Sequence, residues 1–128
     1  MFHYAYSAKH NRIEIGGIFG FDNFDACHIE GLWVEPNYRN QGIGKMLVEK
    51  AEELAYSRKC KCIVLFTMDF QAYEFYHHLG YKKEFIKEHY HNNSKAIYMI
   101  KPTQYQSAGS NQHCELRTLK GNRHIHIE

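Results

Sequence analysis

A chain of 128 residues can build one compact domain around a single core and is too short for two. Its net charge of +2, with no run of like charges, offers no basic stripe for nucleic acid. The longest apolar stretch, residues 63–68, is far too short to span a bilayer, and residues 1–10 lack the charged-then-apolar order of a secretion signal, so a cytoplasmic protein with no membrane partner is expected.

Residues 2–8 read as an extended aromatic segment and residues 12–21 as a second strand, paired through a turn at His10-Asn11. Gly16-Gly17 within that strand point to a bulge or a close approach of another backbone. After a turn at residues 22–25, Ala26–Val34 (ACHIEGLWV) alternates. Strict alternation puts His28, Glu30, Leu32 and Val34 on one face and Ile29, Gly31 and Trp33 on the other. Pro36-Asn37 stops this strand.

Residues 39–45 (RNQGIGK) form a short glycine-bearing connection. The run KMLVEKAEELAYSR then sets Leu47, Ala51, Leu54 and Ala55 at helical spacing, with Glu49, Lys50, Glu52 and Glu53 outward. Residues 60–68 (CKCIVLFTM) have the length and continuous apolarity of a buried, parallel strand. Residues 71–79 (QAYEFYHHL) predict a second helix, ended by Gly80. Residues 81–90 and 95–100 read as two strands around Asn92-Asn93-Ser94. The domain therefore spans residues 1–102. The polar segment 103–128 is expected to be disordered or to order only against another chain. This order of elements is a mixed α/β domain centred on a strand–loop–helix–strand unit.

The four cysteines include one C-x-C pair with no second pair at zinc-ligand spacing, and the ten histidines are scattered, so free thiols and no metal site are expected. The connection at residues 39–45 carries more information. A glycine-rich turn entering a helix exposes main-chain amides that have no internal partner, and the helix dipole adds positive potential. Gly42 and Gly44 remove side chains that would hold a phosphate away, while Arg39 and Lys45 add charge. It is not a P-loop, because Met46 follows Gly44-Lys45 and Arg39 stands where the first glycine belongs. Nor is it a dinucleotide fingerprint, since Leu47 replaces the third small residue.

The segment LWVEPNYRNQGIGKMLVEKAEELA, with its R-x-x-G-x-G loop, resembles the GNAT acetyltransferases. FQAYEFYHHLGYKK is similar to the second signature of that family, A-x-x-F-Y-x-x-x-G-Y, and the two lie in the usual order. The resemblance implies a GNAT-like α+β fold and direct acetyl transfer from acetyl-CoA to a primary amine of a small molecule or protein. A CoA-binding regulatory module without turnover is the alternative. It implies cofactor contacts at Leu32, Trp33, Val34, Arg39, Asn40, Gln41, Gly42, Ile43, Gly44, Lys45, Asp69, Ala72 and Tyr76. Within that set, the Leu32 amide would stabilise the oxyanion, Val34 would pair with the pantetheine arm, and amides from Gln41 to Lys45 would hold the pyrophosphate. Tyr76 falls on the family's general acid, and His28 or Glu30 is the base.

Two departures stand out. Too few residues precede the first hairpin to build the first strand and two helices of the family, so the acceptor cleft is expected to be open, or completed by a second copy or by the polar segment 103–128. A second copy would also cover an exposed sheet, so a homodimer is among the expectations. Asp69 occupies the position of a family asparagine that touches the CoA arm, and an ionised carboxylate cannot donate a hydrogen bond there.

Overall fold

Two tight hairpins begin the chain. Strand β1 (Phe2–His10) runs antiparallel to β2 (Ile13–Asn23), which runs antiparallel to β3 (Ala26–Val34). Both turns place two successive residues at positive φ: Asn11 and Arg12 at 52° and 68°, Phe24 and Asp25 at 51° and 66°. That twist matches the strands it joins. The first turn lies one residue later than expected, and Asp22 belongs to β2 rather than to the second turn. The computed structural model describes residues 1–88 and 94–103 in full and the backbone of 126–127.

A single 3-10 turn (Pro36–Tyr38) leads to helix α1 (Ile43–Ser57), strand β4 (Cys62–Thr67), helix α2 (Phe70–His78) and strands β5 (Lys82–Lys87) and β6 (Ala96–Pro102). A two-residue strand, β7 (His126–Ile127), pairs with Ala8 and Lys9 at the edge of β1. The sheet order is β5-β6-β4-β3-β2-β1-β7, with β3 and β4 parallel and the other pairs antiparallel. Of the segment expected to be a disordered or partner-dependent tail, residues 104–125 and 128 lie outside the described residues, as do residues 89–93, which include the end of the expected strand 81–90 and Asn92-Asn93 of the expected turn. Thr103 is anchored through bonds to the carbonyls of Lys61 and Cys60.

Helix α1 buries Ile43, Leu47, Val48, Ala51 and Ala55, a stripe at three- and four-residue spacing that packs on Ile15, Ile18, Ile29, Ile63 and Met99. Each large side chain so buried contributes about 1.5–3 kcal/mol. Glu52, expected outward, turns in: it accepts from Tyr81 (3.2 Å) and pairs with Lys101 Nζ (2.8 Å), which also donates to the Leu79 carbonyl (2.8 Å). One cluster thus ties α1, the end of α2 and β6 together. Gly80, at φ 96°, ends α2 as expected.

Both helices lie on one face of the sheet. A Cβ on Gly16 would stand 3.3 Å from Ile43 and from Leu47, and a Cβ on Gly44 would stand 3.2 Å from the Phe75 ring of α2. Alternation along β2 then sends Gly17, Phe19 and Phe21 to the opposite face. Among the described residues nothing covers that face, where Phe19, Trp33 and Phe66 keep 46%, 41% and 50% of their surface exposed. Strand β4 is therefore not buried on both sides, as its apolar run suggested. Ile63 and Leu65 enter the core while Phe66 points away from it.

Candidate active site

The decisive local feature is a bulge in β3. Gly31 pairs with Phe19 and Ile29 with Gly20, so Glu30 is an extra residue with no cross-strand partner. The expected alternation fails there. Leu32 and Val34 pack on the core, towards the helices, whereas His28 stacks on Phe21 on the uncovered face, with centroids 4.5 Å apart and planes at 12°. An extra residue reverses which face each later side chain meets.

The bulge bends β3, and its pairing with β4 ends at His28 and Val64. Beyond that point β4 pairs only with β6, and β3 only with β2, so the two strands part into a cleft. The Glu35 amide donates to the Ile15 carbonyl of β2 at 2.7 Å. Because antiparallel ladder groups alternate, the main-chain groups of Trp33 also face β2, and those of Leu32 and Val34 face the cleft. The Val34 carbonyl accepts from Arg39 Nε at 3.1 Å, consistent with that direction.

At the mouth of this cleft α1 begins. Gly42 is its N-cap, in the left-handed region at φ 83°, with no side chain to cap the helix. The first intrahelical bond runs from the Met46 amide to the Gly42 carbonyl (3.0 Å), which leaves the amides of Ile43, Gly44 and Lys45 without an intrahelical acceptor. Asn40 precedes them at φ 62°. The loop is held from outside, by a Gln41 Nε2 bond to the Asn37 carbonyl (3.3 Å) and by Tyr38, whose hydroxyl is 3.0 Å from His10 Nδ1. Gly44 differs in role from Gly42. The space beside its Cα is filled by Phe75 and, at 3.8 Å, by Val34, so this glycine lets α2 and β3 close on the helix start.

Next to Phe75, Tyr76 is buried, with ring centroids 5.1 Å from Phe75 and 5.5 Å from Tyr81. Burial pushes its phenol up to about 12. Among the described residues its hydroxyl has no hydrogen-bond partner. His28 is half-buried; desolvation pulls its imidazole below the usual histidine value, and the nearby Glu30 charge opposes that pull. The Cys27 thiol is fully buried, and burial pushes it up to about 12.

Leu32, Val34 and Gly44 are thus gathered around one cleft, with the amides of residues 43–45 at its mouth, and Tyr76 lies in the core beside Phe75, whose ring meets Gly44. Three further expected cofactor residues have structural engagements of their own. Trp33 turns its main chain to β2 and its ring to the uncovered face. Asp69 caps α2, its Oδ1 accepting from the Gln71 amide at 2.7 Å, a role that an aspartate just before a helix signals in sequence. Ala72 is half-buried and packs on the core. Phe75, which joins the two helix ends, was not singled out, although the F-Y step of the second signature contains it. Among the described residues, no three His, Cys, Asp or Glu side chains are grouped to hold a metal ion, and no helix is long and apolar enough to cross a membrane.

An α+β sheet parted beside a helix start with free amides is the architecture of an acyl-CoA acyltransferase. The chain belongs to the acetyltransferase (GNAT) family, whose match covers residues 2–81. It is 36% identical over 81 residues to the blasticidin-S acetyltransferase of Streptomyces morookaense, covering 62% of this chain and 60% of that protein. The chain spans three fifths or less of the length of the curated relatives it matches. The fold is shared with the ribosomal-protein-S18-alanine N-acetyltransferase of Escherichia coli, at TM-score 0.75 and 21% identity over 87% of this chain and 74% of that one. It is shared too with an acetyltransferase from Bacillus anthracis crystallised with acetyl coenzyme A, at TM-score 0.74 and 24% identity over 80% and 63% of the two chains.

Proposed function

We propose that this protein transfers an acetyl group from acetyl-CoA directly to a primary amine. The observation that carries the reading is the convergence of three main-chain amides at the start of α1, which lack an intrahelical acceptor, with the cleft-facing edge of β3. Amides in that position favour a diphosphate. The Val34 amide and carbonyl offer a strand edge to an extended arm once Arg39 releases the carbonyl. When bound, acetyl-CoA supplies an activated thioester.

The Leu32 amide is placed to donate towards negative charge gathering on the acyl oxygen. Tyr76, neutral throughout the physiological range, holds a proton for the departing thiolate from the helix side. Since α1 and α2 close that side, the amine enters from the uncovered face, where His28 stands neutral near pH 7 and able to accept its proton. Direct transfer is favoured over a cysteine-bound route because burial keeps Cys27 protonated.

Calorimetric titration with acetyl-CoA, followed by a thiol-release assay over a panel of primary amines, tests this reading. Saturable binding with amine-dependent release is expected. Absence of binding at millimolar acetyl-CoA would overturn it, and binding with no release for any amine would leave a CoA-binding module instead.

A further inference from the structure

The uncovered face carries two glycine–aromatic pairs side by side. Gly17 lies opposite Trp33 and Gly31 opposite Phe19 across the β2–β3 ladder. A Cβ on Gly17 would come within 2.6 Å of Trp33 Nε1 and 3.1 Å of its Cε2, and a Cβ on Gly31 would collide with the Phe19 ring. Both rings therefore lie down over the glycines, where strand side chains ordinarily stand off the sheet. Gly17 and Phe19 are two apart on β2, as are Gly31 and Trp33 on β3, so the rings occupy one diagonal of a four-residue square. Each presses one side on backbone and leaves the other open, with exposures of 46% for Phe19 and 41% for Trp33. The stacked pair of Phe21 and His28 continues the row, and exposed Glu30 lies in the bulge between His28 and this square.

We propose that Trp33 and Phe19 form the acceptor's seat, selecting amines carried on a flat ring or a flat cationic group. The proposal rests on the transferase reading and deepens it to a substrate class. Three features select this occupant. Flat, half-open rings match a planar partner in area and favour a cation over their faces. The Glu30 carboxylate complements an ammonium. And Trp33 sits between Leu32 and Val34, whose main-chain groups line the cleft, so a molecule on the platform is one residue from the reacting centre. An aliphatic amine would keep the charge contacts and lose the planar stacking on the rings.

Trp33 is the single tryptophan of the chain, so its emission reports on the platform directly. Three probes separate ring from charge: benzylamine carries both, butylamine only the ammonium, benzyl alcohol only the ring. Each is titrated into the protein with and without saturating CoA. Benzylamine is expected to change Trp33 emission saturably, with half-saturation about tenfold lower than for the other two. Phe19→Leu, which keeps the reporter, should bring benzylamine back to the level of butylamine. Equal responses to all three probes, no response, or a Phe19→Leu protein with unchanged preference would each overturn the proposal. Acetyl-CoA binding, followed by calorimetry on the same samples, reads the transferase assignment separately. Binding without benzylamine preference sinks the platform alone, and ring preference without acetyl-CoA binding sinks the transferase reading alone.

Discussion

Tyr76 and His28 carry opposite shifts for one physical reason, the cost of placing charge where water is excluded. The phenol is held neutral, as the proposed acid must be, and the imidazole neutral, as the proposed base must be. Tyr76→Phe should therefore lower kcat by about a hundredfold while acetyl-CoA affinity, read by calorimetry, barely moves. Equal loss of both would mean that Tyr76 only packs. His28 must be unprotonated to accept a proton, so kcat should rise with pH and level off below the ordinary histidine pKa of about 6.5. His28→Gln should flatten that acid limb. Glu30→Gln removes a charge that raises the His28 pKa, so it should move the limb to lower pH with activity kept. Abolished turnover would make Glu30 the base instead.

At the scale of the element, the two helix starts look alike and act differently. The start of α1 has no capping side chain, and its amides remain available; the start of α2 is closed by Asp69. Asp69→Ala should cost about 1 kcal/mol, visible as a lower urea midpoint, with acetyl-CoA affinity kept. Gly42→Glu should abolish acetyl-CoA binding through bulk and charge. It also forces a side chain into the left-handed region at a cost of about 1–2 kcal/mol, so Gly42→Ala is the control that shares the strain without the charge. The bulge at Glu30 is an element-scale device too, since it parts β3 from β4 and turns Leu32 and Val34 away from the face that holds His28.

Across the whole molecule, single contacts join distant ends of the chain. Asp22, at the end of β2, is buried and pairs with Arg58 at the end of α1 (2.9 Å), and among the described residues its other oxygen is buried without a hydrogen-bond partner. Arg58→Met should leave that carboxylate uncompensated and cost about 2 kcal/mol, read as a lower urea midpoint with an unchanged slope. Arg58 and Asp22 are 36 residues apart, so no local pattern announces the pair.

What the amino-acid order determined by itself is what depends on near neighbours. The glycine at the helix start, the amphipathic stripe of α1, the cap glycine at 80 and the two family signatures are all readable within a few residues, because backbone preference and hydrophobic period act over that range. Which face each side chain meets was settled only in the folded sheet. Strict alternation misplaced Leu32 and Val34 relative to His28, since the bulge arises from the register between two strands. The same holds for Gly44, whose neighbour Phe75 comes from another helix, and for Trp33, whose ring lies on a glycine sixteen positions earlier. Such contacts are fixed by packing between remote segments, and only the tertiary structure brings those segments together.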